Sequence, residues 1–233
     1  MADAPGRLLA SGRAADVYDL GDGTVLRRYR TDHDCTGEAR LMTWLGSEGV
    51  PVPEVRRVDG RDIVMDRIDG PTMLDDLTDR PWRFVGHARR LARLQRDLNR
   101  LDAPDWLPAH DGVLDGDRVL HLDLHPMNVI LGPDGPVIID WTNASRGDPA
   151  FDAAMTYVLM ATFEATGWVE RLGQRVVVAT FGWARGRSLV RRGVPDAVRH
   201  RLGDRDVTPG ERANLQRLLD RSTDRLTDRA ARR

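Results

Sequence analysis

Lysine is absent from this chain of 233 residues, so all 35 basic residues are arginine. Any chemistry that usually employs a lysine ammonium must therefore use an arginine guanidinium, which is planar and grips oxyanions through a two-pronged fork. The single cysteine, Cys35, excludes an internal disulfide framework and a four-thiolate metal site. A lone cysteine beside polar residues is more often a bystander than a nucleophile, so we assign Cys35 no role.

Long apolar runs are also missing. The N-terminal segment has no basic stretch followed by an apolar core, so neither a secretory signal nor a membrane span is predicted. With 41% hydrophobic and 30% charged residues, the composition is that of an ordinary globular protein. We expect a cytoplasmic protein without membrane or nucleic-acid partners, and its oligomeric state, monomer or weak dimer, is left open.

The formal net charge of −1 is unevenly distributed along the chain. After residue 184 there are about 14 arginines against about 7 acidic residues, and an acidic excess before that point compensates for them. A basic region of this kind is most often a solvated face. The alternative is that it attracts an anionic substrate or partner.

Alternating apolar and polar residues predict a sheet at the start of the chain. The alternation around Val17 and Val25, with turn residues at 21–23 between them, predicts a β-hairpin. A helix is predicted over Glu38–Leu45, and a strand over Ile63–Met65. The beginning of the chain is therefore predicted to be mostly sheet with one helix.

From about residue 84 the hydrophobic period changes to that of a helix. Leucines at helical spacing form one apolar face, at Leu91, Leu94, Leu98 and Leu101. Asp148 followed by Pro149 is typical of a helix start, and the rest of the chain is predicted to be helical. This change divides the chain into a sheet-rich lobe, residues 1–70, and a helical lobe, residues 71–233.

Two short apolar strands, "MNVIL" and "PVIID", are joined by "GPDG", which is typical of a hairpin turn. If the turn is centred on "PD", Asn128 lies roughly opposite residue 139 and comes within about 5–8 Å of Asp140. An amide oxygen and a carboxylate at that distance suit Mg²⁺, which prefers oxygen donors. Asp123 is placed to curl back over the same spot, and one carboxylate beside two metal-binding oxygens is the arrangement used in phosphoryl transfer.

The segments "HLDLHPMNVI" and "IIDWTNASRGDP" resemble the catalytic loop and the metal-binding segment of the aminoglycoside phosphotransferase-like kinases, which are small-molecule relatives of the protein kinases. The resemblance covers residues 10–165. It implies an α+β, bilobal protein kinase-like fold, with a small β-rich N-terminal lobe containing one helix and a larger, mostly helical C-terminal lobe. It also implies an ATP-dependent enzyme that moves the γ-phosphate to a hydroxyl of a small molecule.

The same resemblance assigns roles to individual residues. By it, Asp123 would orient the acceptor hydroxyl and help to deprotonate it. Asn128 and Asp140 would hold Mg²⁺, and Asp148 would be a structural acid after a short activation-like segment.

In the N-terminal lobe, the resemblance aligns "TVLRRYR" with a strand that carries a phosphate-binding lysine in related kinases. Arg27 is at the lysine position, and Arg28 is the alternative. Alternate residues of a strand share one face, so Arg27 enters the cleft if Val25 packs inward. Glu38, early in the following helix, is the predicted ion-pair partner of the arginine.

The remaining nucleotide-binding features are less complete. "SGRAADVY" keeps only Gly12 where protein kinases have three glycines in the loop over the phosphates. Met65 to Ile68, including Asp66, occupy the position of the adenine-binding hinge, where backbone N–H and C=O groups would recognise the base. By the resemblance, these residues bind ATP.

Two alternatives compete with this interpretation. His121, Asp123 and His125 share one face if the segment is a strand, and could form a metal triad in a hydrolytic enzyme. A catalytically silent, kinase-like nucleotide-binding or scaffold protein is the other alternative, since a lysine has become arginine and the glycine loop is reduced. A zinc assay addresses the first, and ATP turnover with a panel of hydroxyl compounds addresses the second.

The acceptor is predicted only as a class: a small hydroxylated antibiotic, amino alcohol or sugar-like molecule. Relatives act on aminoglycosides, choline, homoserine, sugars and macrolides. A polycationic aminoglycoside favours a carboxylate-lined pocket, and the arginine-rich C-terminal region counts against that class. Three acids near the end of the leucine-striped helix could face a substrate, or could simply be solvated: Asp97, Asp102 and Asp105.

Overall fold

The protein is described here from a computed structural model, which covers residues 6–12, 14–109, 112, 114–165, 167–204 and 207–230, the last eight by their backbone alone. The chain forms two compact units. The first contains the residues up to Thr72 together with Asn128–Thr142, and the second contains Met73–Met127 and the residues from Asn143 onward. Parts of the basic C-terminal region, including Arg205 and Arg233, lie outside the described residues.

A five-stranded antiparallel sheet dominates the first unit, with the strand order β1-β2-β3-β5-β4. The strands are β1 (Arg7–Ser11), β2 (Ala15–Asp19), β3 (Thr24–Tyr29), β4 (Val55–Asp59) and β5 (Asp62–Asp66). One helix, α1 (Thr36–Ser47), follows β3 and buries Leu41 and Leu45. A sheet with a single helix is what the sequence predicted for this part of the chain.

The predicted hairpin is formed by β2 and β3. Gly21 and Gly23 have φ values of 82° and 86°, which side chains with a Cβ rarely adopt, so glycine permits the turn. Between them, Asp22 accepts a hydrogen bond from the Thr24 amide at 3.0 Å. The turn sets the register in which Val17 faces Arg27 across the two strands.

Strand β4 was not predicted from the sequence. Its residues Arg56 and Arg57 are exposed, and it lies at the edge of the sheet, beside β5. Charged side chains are common on edge strands because they discourage pairing with another chain. The resulting sequence lacks the apolar alternation on which a strand prediction depends.

A ribbon of two strands, β7 (Val129–Gly132) and β8 (Gly135–Ile138), belongs to the first unit. Backbone hydrogen bonds attach it there: the Leu131 amide donates to Pro71 O at 2.9 Å, and the Ile138 amide donates to Pro51 O at 2.8 Å. Gly70 lies so close to the backbone of β7 that a Cβ on it would be 2.2 Å from Leu131 O. The ribbon thus joins a unit whose other residues come from the start of the chain.

The second unit is mainly helical, as predicted. Its helices are α2 (Met73–Asp79), α3 (Phe84–Leu98), α4 (Pro149–Thr162), α5 (Trp168–Arg185), α6 (Arg187–Gly203) and α7 (Pro209–Ala230). A short ladder joins β6 (Arg118–Leu120) to β9 (Ser145–Gly147). None of the helices in the described part of the chain is both long and apolar enough to span a bilayer.

The core of the second unit lies where α4 packs against α6. Phe151 and Val158 of α4 and Val194 and Val198 of α6 are buried there. Gly193 permits the contact, because a Cβ at this position would lie 2.2 Å from the Ala150 carbonyl oxygen. Asp148 caps α4 as predicted, since its carboxylate accepts from the Ala150 amide at 2.8 Å.

The predicted leucine face on α3 is only partly correct. Leu91 and Leu98 are buried, but the helix ends at Leu98, and Leu101 lies in the following bend. Asn99 provides the physical reason, because its backbone closes the helix while its side chain turns inward to bind the β6 backbone at Val119 O, 2.9 Å away. Helical spacing alone does not show where such a polar residue ends a helix.

A cluster of charged residues links α2 to α3 in the second unit. Asp76 is buried, and its carboxylate lies 2.7 Å from His87 Nε2. Arg80 and Arg83 contact the same carboxylate. The hydrogen bond from His87, followed by those from the two arginines, lowers the pKa of Asp76 to about 2.

This lowered pKa predicts an acid-dependent loss of stability. The ionised carboxylate stabilises the fold fully above the unfolded-state pKa of about 4, and this contribution disappears as pH falls toward 2. Asp76→Asn should therefore be less stable than the wild type at pH 7, with the difference narrowing below pH 4. Urea midpoints measured from pH 7 to pH 2.5 test this, with the exposed Asp79→Asn on the same helix as the control. A constant difference would contradict it.

Candidate active site

Arg27 is buried at the centre of a cluster of polar residues in the first unit. It is only 8% exposed, and its two terminal nitrogens have different partners. Nη1 lies 2.7 Å from Glu38 Oε1, whereas Nη2 lies 2.6 Å from Asp140 Oδ1. The structure therefore contains the expected ion pair between Arg27 and Glu38, and it brings Asp140 into the same cluster.

The charge of Arg27 is stabilised by its neighbours. Burial by itself lowers the pKa of a guanidinium, but the carboxylates of Glu38 and Asp140 outweigh it, so the pKa of Arg27 is raised. A buried charge is tolerated when it is paired and hydrogen-bonded. Arg27 is thus a permanent cation with a fixed orientation.

Arg28, the alternative to Arg27, is in a different environment. Its guanidinium binds Asp62 through two bonds, Nε to Oδ1 at 2.8 Å and Nη2 to Oδ2 at 2.6 Å. The hydrogen bond from Arg28 lowers the pKa of Asp62. Successive strand residues point to opposite faces of the sheet, which explains why neighbouring arginines have separate partners.

Asn128 and Asp140 flank the ribbon as the predicted hairpin register requires. Val129 pairs with Ile138, and the Ile139 amide donates to Asn128 O at 3.0 Å. The register prediction is confirmed. Asp140 follows with φ of 65°, a left-handed conformation that is uncommon outside glycine and that is concentrated at functional sites.

These two residues fit a magnesium ion. An amide and a carboxylate supply hard oxygen donors, and Mg²⁺ is usually held by one or two protein groups together with phosphate and water. Among the residues that the structure describes, no group of three His, Cys, Asp or Glu side chains could hold a metal. That finding gives no support to the alternative triad of His121, Asp123 and His125.

The hinge segment follows β5. Met65 is buried, and the next two amides are used by the sheet: the Asp66 amide donates to Glu54 O, and the Arg67 amide donates to Gly23 O. No acceptor for the Ile68 amide is found among the described residues. Ile68 N–H is therefore the backbone donor of this segment that a base could use.

Gly12 lies in the connection between β1 and β2. Its amide donates to Ala15 O at 2.9 Å, and a Cβ on Gly12 would lie 3.2 Å from that oxygen. The described contacts do not join Gly12 to the cluster around Arg27.

The predicted catalytic loop belongs to the second unit. His121 is fully buried, and its Nδ1 accepts from the Asp123 amide at 3.3 Å. His125 Nε2 lies 3.5 Å from Asp123 Oδ1. Between them, Leu122 adopts φ of 65°, a conformation that costs roughly 1–3 kcal/mol for a residue other than glycine.

Asp152, which was not predicted from the sequence, holds the loop in this conformation. It is fully buried in α4, and its Oδ1 accepts from the Leu122 amide at 2.8 Å. Its Oδ2 accepts from Asn99 Nδ2 at 2.8 Å. A buried carboxylate thus supports the backbone directly beside Asp123.

The support continues to a buried arginine on α5. Arg185 Nε donates to Gln95 Oε1 at 2.9 Å, and its Nη2 donates to Asn99 Oδ1. Burial lowers the pKa of Arg185, an effect that the charge of Asp152 opposes. An acid inside the otherwise apolar segment "AFDAAM" was the available signal for this network, because a buried charge usually has a structural or functional reason.

The combination of these features is that of a kinase-like phosphotransferase. The sequence pattern of the phosphotransferase enzyme family (APH) matches residues 5–115 and 64–189, which together span more than half of the chain. The protein belongs to this family of small-molecule phosphotransferases. The resemblance described from the two sequence segments is therefore confirmed.

Comparison with solved structures gives the same fold. The gentamicin complex of APH(2'')-IIa matches with a TM-score of 0.61 at 13% identity, over 95% of this chain and 90% of that chain. A choline/ethanolamine kinase family protein from Mesorhizobium loti matches with a TM-score of 0.59 at 16% identity, over 95% of this chain and 88% of that chain. The streptomycin-ATP complex of APH(2'')-IIa matches with a TM-score of 0.55 at 14% identity, over 83% of this chain and 82% of that chain.

The predicted α+β protein kinase-like fold, with a β-rich N-terminal part and a helical C-terminal part, is confirmed by these matches. Identities of this size show a shared fold and no more. Comparison with curated proteins by sequence found no match.

Proposed function

We propose that the protein is an ATP-dependent O-phosphotransferase that moves the γ-phosphate to a hydroxyl of a small molecule. The observation that carries the proposal is the pair of ion pairs that Arg27 makes with Glu38 and Asp140. A kinase-like site for phosphoryl transfer requires a cation paired with a helix glutamate and an aspartate that holds Mg²⁺. Here Arg27 contacts both of the residues proposed for these roles.

The N-terminal lobe, residues 1–70, is proposed to bind the nucleotide. Arg27 would contact the α- and β-phosphates through the guanidinium N–H groups that Glu38, Asp140 and Thr142 do not use, since a guanidinium carries five such donors. The Ile68 amide and the Asp66 carbonyl would recognise the base, and Gly12 would lie over the phosphates. The ATP complex of APH(2'')-IIa, which has the same fold, supports the choice of nucleotide.

Asn128 and Asp140 would hold Mg²⁺, which when bound neutralises charge on the nucleotide phosphates. Asp123 would accept a hydrogen bond from the acceptor hydroxyl and take its proton as the oxygen attacks phosphorus. Positioned proton transfer of this kind contributes roughly 10²–10⁴-fold to a rate. The strained Leu122, held by Asp152, would fix the direction in which the Asp123 carboxylate points.

The acceptor is proposed to bind to the helical lobe, residues 71–233. The matched structures include complexes with gentamicin and streptomycin and a choline/ethanolamine kinase family protein, so amino alcohols, sugar-like compounds and antibiotics are the classes to test. The arginine excess after residue 184 favours an acceptor with few positive charges over a polycationic aminoglycoside.

Phosphoryl transfer tests the proposal directly. The purified protein is incubated with radiolabelled [γ-³²P]ATP, Mg²⁺ and a panel of choline, ethanolamine, homoserine, sugars, macrolides and aminoglycosides. We expect labelled product with at least one acceptor and none with EDTA. Tight ATP binding without transfer to any acceptor would favour the catalytically silent alternative, and the absence of ATP binding would overturn the proposal.

The two neighbouring arginines provide a matched pair of variants. Arg27→Ala should raise the KM for ATP roughly tenfold or more, because it removes a charge-assisted grip on phosphate. Arg28→Ala should change it less than about twofold, since Arg28 is bound to Asp62 and such partly exposed pairs contribute little. Steady-state kinetics with varied ATP measure both values, and equal effects would show that Arg27 was the wrong choice.

A further inference from the structure

Thr142 contacts every other member of the Arg27 cluster except Glu38. Its hydroxyl accepts from Arg27 Nη2 at 3.0 Å and lies 2.7 Å from the Tyr29 hydroxyl. It also donates to Asp140 Oδ1 at 2.9 Å. No role for Thr142 or Tyr29 follows from the motifs in the sequence.

The contacts close into a ring of four residues. Arg27 Nη1 donates to one oxygen of Glu38, and the Tyr29 hydroxyl donates to the other. The Tyr29 hydroxyl also contacts the Thr142 hydroxyl, which in turn accepts a hydrogen bond from Arg27 Nη2. Each terminal nitrogen of the Arg27 guanidinium therefore has its own partner in the ring, Glu38 for Nη1 and Thr142 for Nη2.

Tyr29 and Thr142 each have one hydroxyl hydrogen, which limits the hydrogen bonds that they can donate at the same time. Burial, followed by the negative charge of Glu38, raises the pKa of Tyr29, so its hydroxyl stays protonated and remains a donor to Glu38. Thr142 has one hydrogen and two possible acceptors, the Tyr29 oxygen and Asp140. When Thr142 gives its hydrogen to Asp140, it still accepts from Arg27 through a lone pair. Its contact with Tyr29 is then without a hydrogen, so a hydrogen bond closes the ring there only when Thr142 donates to Tyr29.

An arginine requires this support more than a lysine does. A lysine ammonium is a compact charge whose three hydrogens rotate freely, whereas a guanidinium acts along a fixed plane. Arg27 meets Glu38 and Asp140 with two different nitrogens, so rotation of the plane would break both ion pairs at once. Tyr29 and Thr142 supply the contacts that resist such a rotation.

We propose that Tyr29 and Thr142 are positioning residues, which hold the Arg27 fork and the Asp140 carboxylate in a fixed relative orientation for the metal–nucleotide complex. This inference rests on the proposed function. It assigns Thr142 a direct role in orienting Asp140, and Tyr29 an indirect role that acts through Glu38 and Thr142.

Binding of the Mn²⁺–ADP complex, followed by electron paramagnetic resonance of Mn²⁺, tests the inference without requiring turnover or an acceptor. Thr142→Val is nearly isosteric but removes the hydrogen bonds to Arg27 and Asp140 and the contact with Tyr29. The dissociation constant of the Mn²⁺–ADP complex should rise on the order of tenfold, which corresponds to one hydrogen bond to a charged group. Thr142→Ser keeps the hydroxyl and should bind like the wild type. Thr78→Val, an exposed threonine in α2, is the control.

The indirect role of Tyr29 predicts non-additivity. Tyr29→Phe should weaken binding by roughly threefold, and the double variant with Thr142→Val should weaken it by less than the product of the two single effects, because residues in one network do not contribute independently. Independent effects that multiply in the double variant would overturn the inference. Melting temperatures of all variants establish that the fold is retained.

The possible outcomes separate the inference from the proposed function. If the wild type binds Mn²⁺–ADP and Thr142→Val binds it equally well, the inference is wrong and the proposed function stands. If Thr142→Ser is as weak as Thr142→Val, the hydroxyl is not the group that matters, and the inference is again wrong. A wild type that binds no Mn²⁺–ADP would overturn both.

Discussion

Asp123→Asn is expected to lower kcat by roughly 10²–10⁴-fold, which is the usual contribution of a positioned general base. An amide has nearly the same shape as the carboxylate, but it cannot accept a proton from the acceptor hydroxyl at neutral pH. The Asp123 amide nitrogen would still donate to His121, so the loop backbone is retained. The KM for ATP should change little, because the nucleotide ligands proposed above are other residues.

Two further measurements make this result specific. Asp134→Asn changes an exposed acid in the turn of the ribbon and should leave kcat unaffected. Equilibrium binding of ATP to Asp123→Asn should remain within a few-fold of the wild-type value. If Asp123→Asn turned over at the wild-type rate, Asp123 would not be the general base. Loss of ATP binding would instead indicate that the substitution disturbed the loop.

Local patterns were sufficient to predict the parts of the site that a short stretch of chain determines. The position of Asn128 opposite residue 139 follows from a tight turn, and turn length sets hairpin register. The position of Arg27, and not Arg28, beside Glu38 and Asp140 agrees with strand alternation, since only one of the two can share the inward face with Val25. Its contact with phosphate stays a prediction. Both predictions needed only residues that are close in sequence.

Contacts between distant residues could not be predicted in this way. Tyr29 and Thr142 are separated by 113 positions, and no period or motif relates a hydroxyl on a strand to one that follows a ribbon. The attachment of the ribbon to the first unit depends on backbone groups of Pro51 and Pro71, which any sequence could supply. Asp152 is different, since an acid inside an apolar helical segment is a local signal from which a buried carboxylate could have been predicted.

Asp152→Asn is expected to destabilise the protein by about 3–5 kcal/mol and to slow catalysis as well. The carboxylate has two buried donors, the Leu122 amide and Asn99 Nδ2. An asparagine can accept from only one of them, because its other terminal group is itself a donor and would face a donor. The charge of Asp152 that opposes the desolvation of Arg185 would also be lost.

The expected loss of activity follows from the strain at Leu122. A residue other than glycine holds a φ of 65° only when its surroundings enforce it, and the Asp152 bond to the Leu122 amide is the contact that does so. Without that bond, the backbone relaxes and Asp123 turns with it. We therefore expect kcat to fall in folded Asp152→Asn while the KM for ATP changes less.

Urea denaturation and steady-state kinetics below the melting transition measure the two effects separately. Asp97→Asn is the matched control, since Asp97 lies on α3 in an exposed pair with Arg100, and such pairs contribute at most about 1 kcal/mol. A folded Asp152→Asn with wild-type kcat would show that Leu122 keeps its conformation without the buried carboxylate. In that case the position of Asp123 would have to come from His121, whose ring accepts from the Asp123 amide.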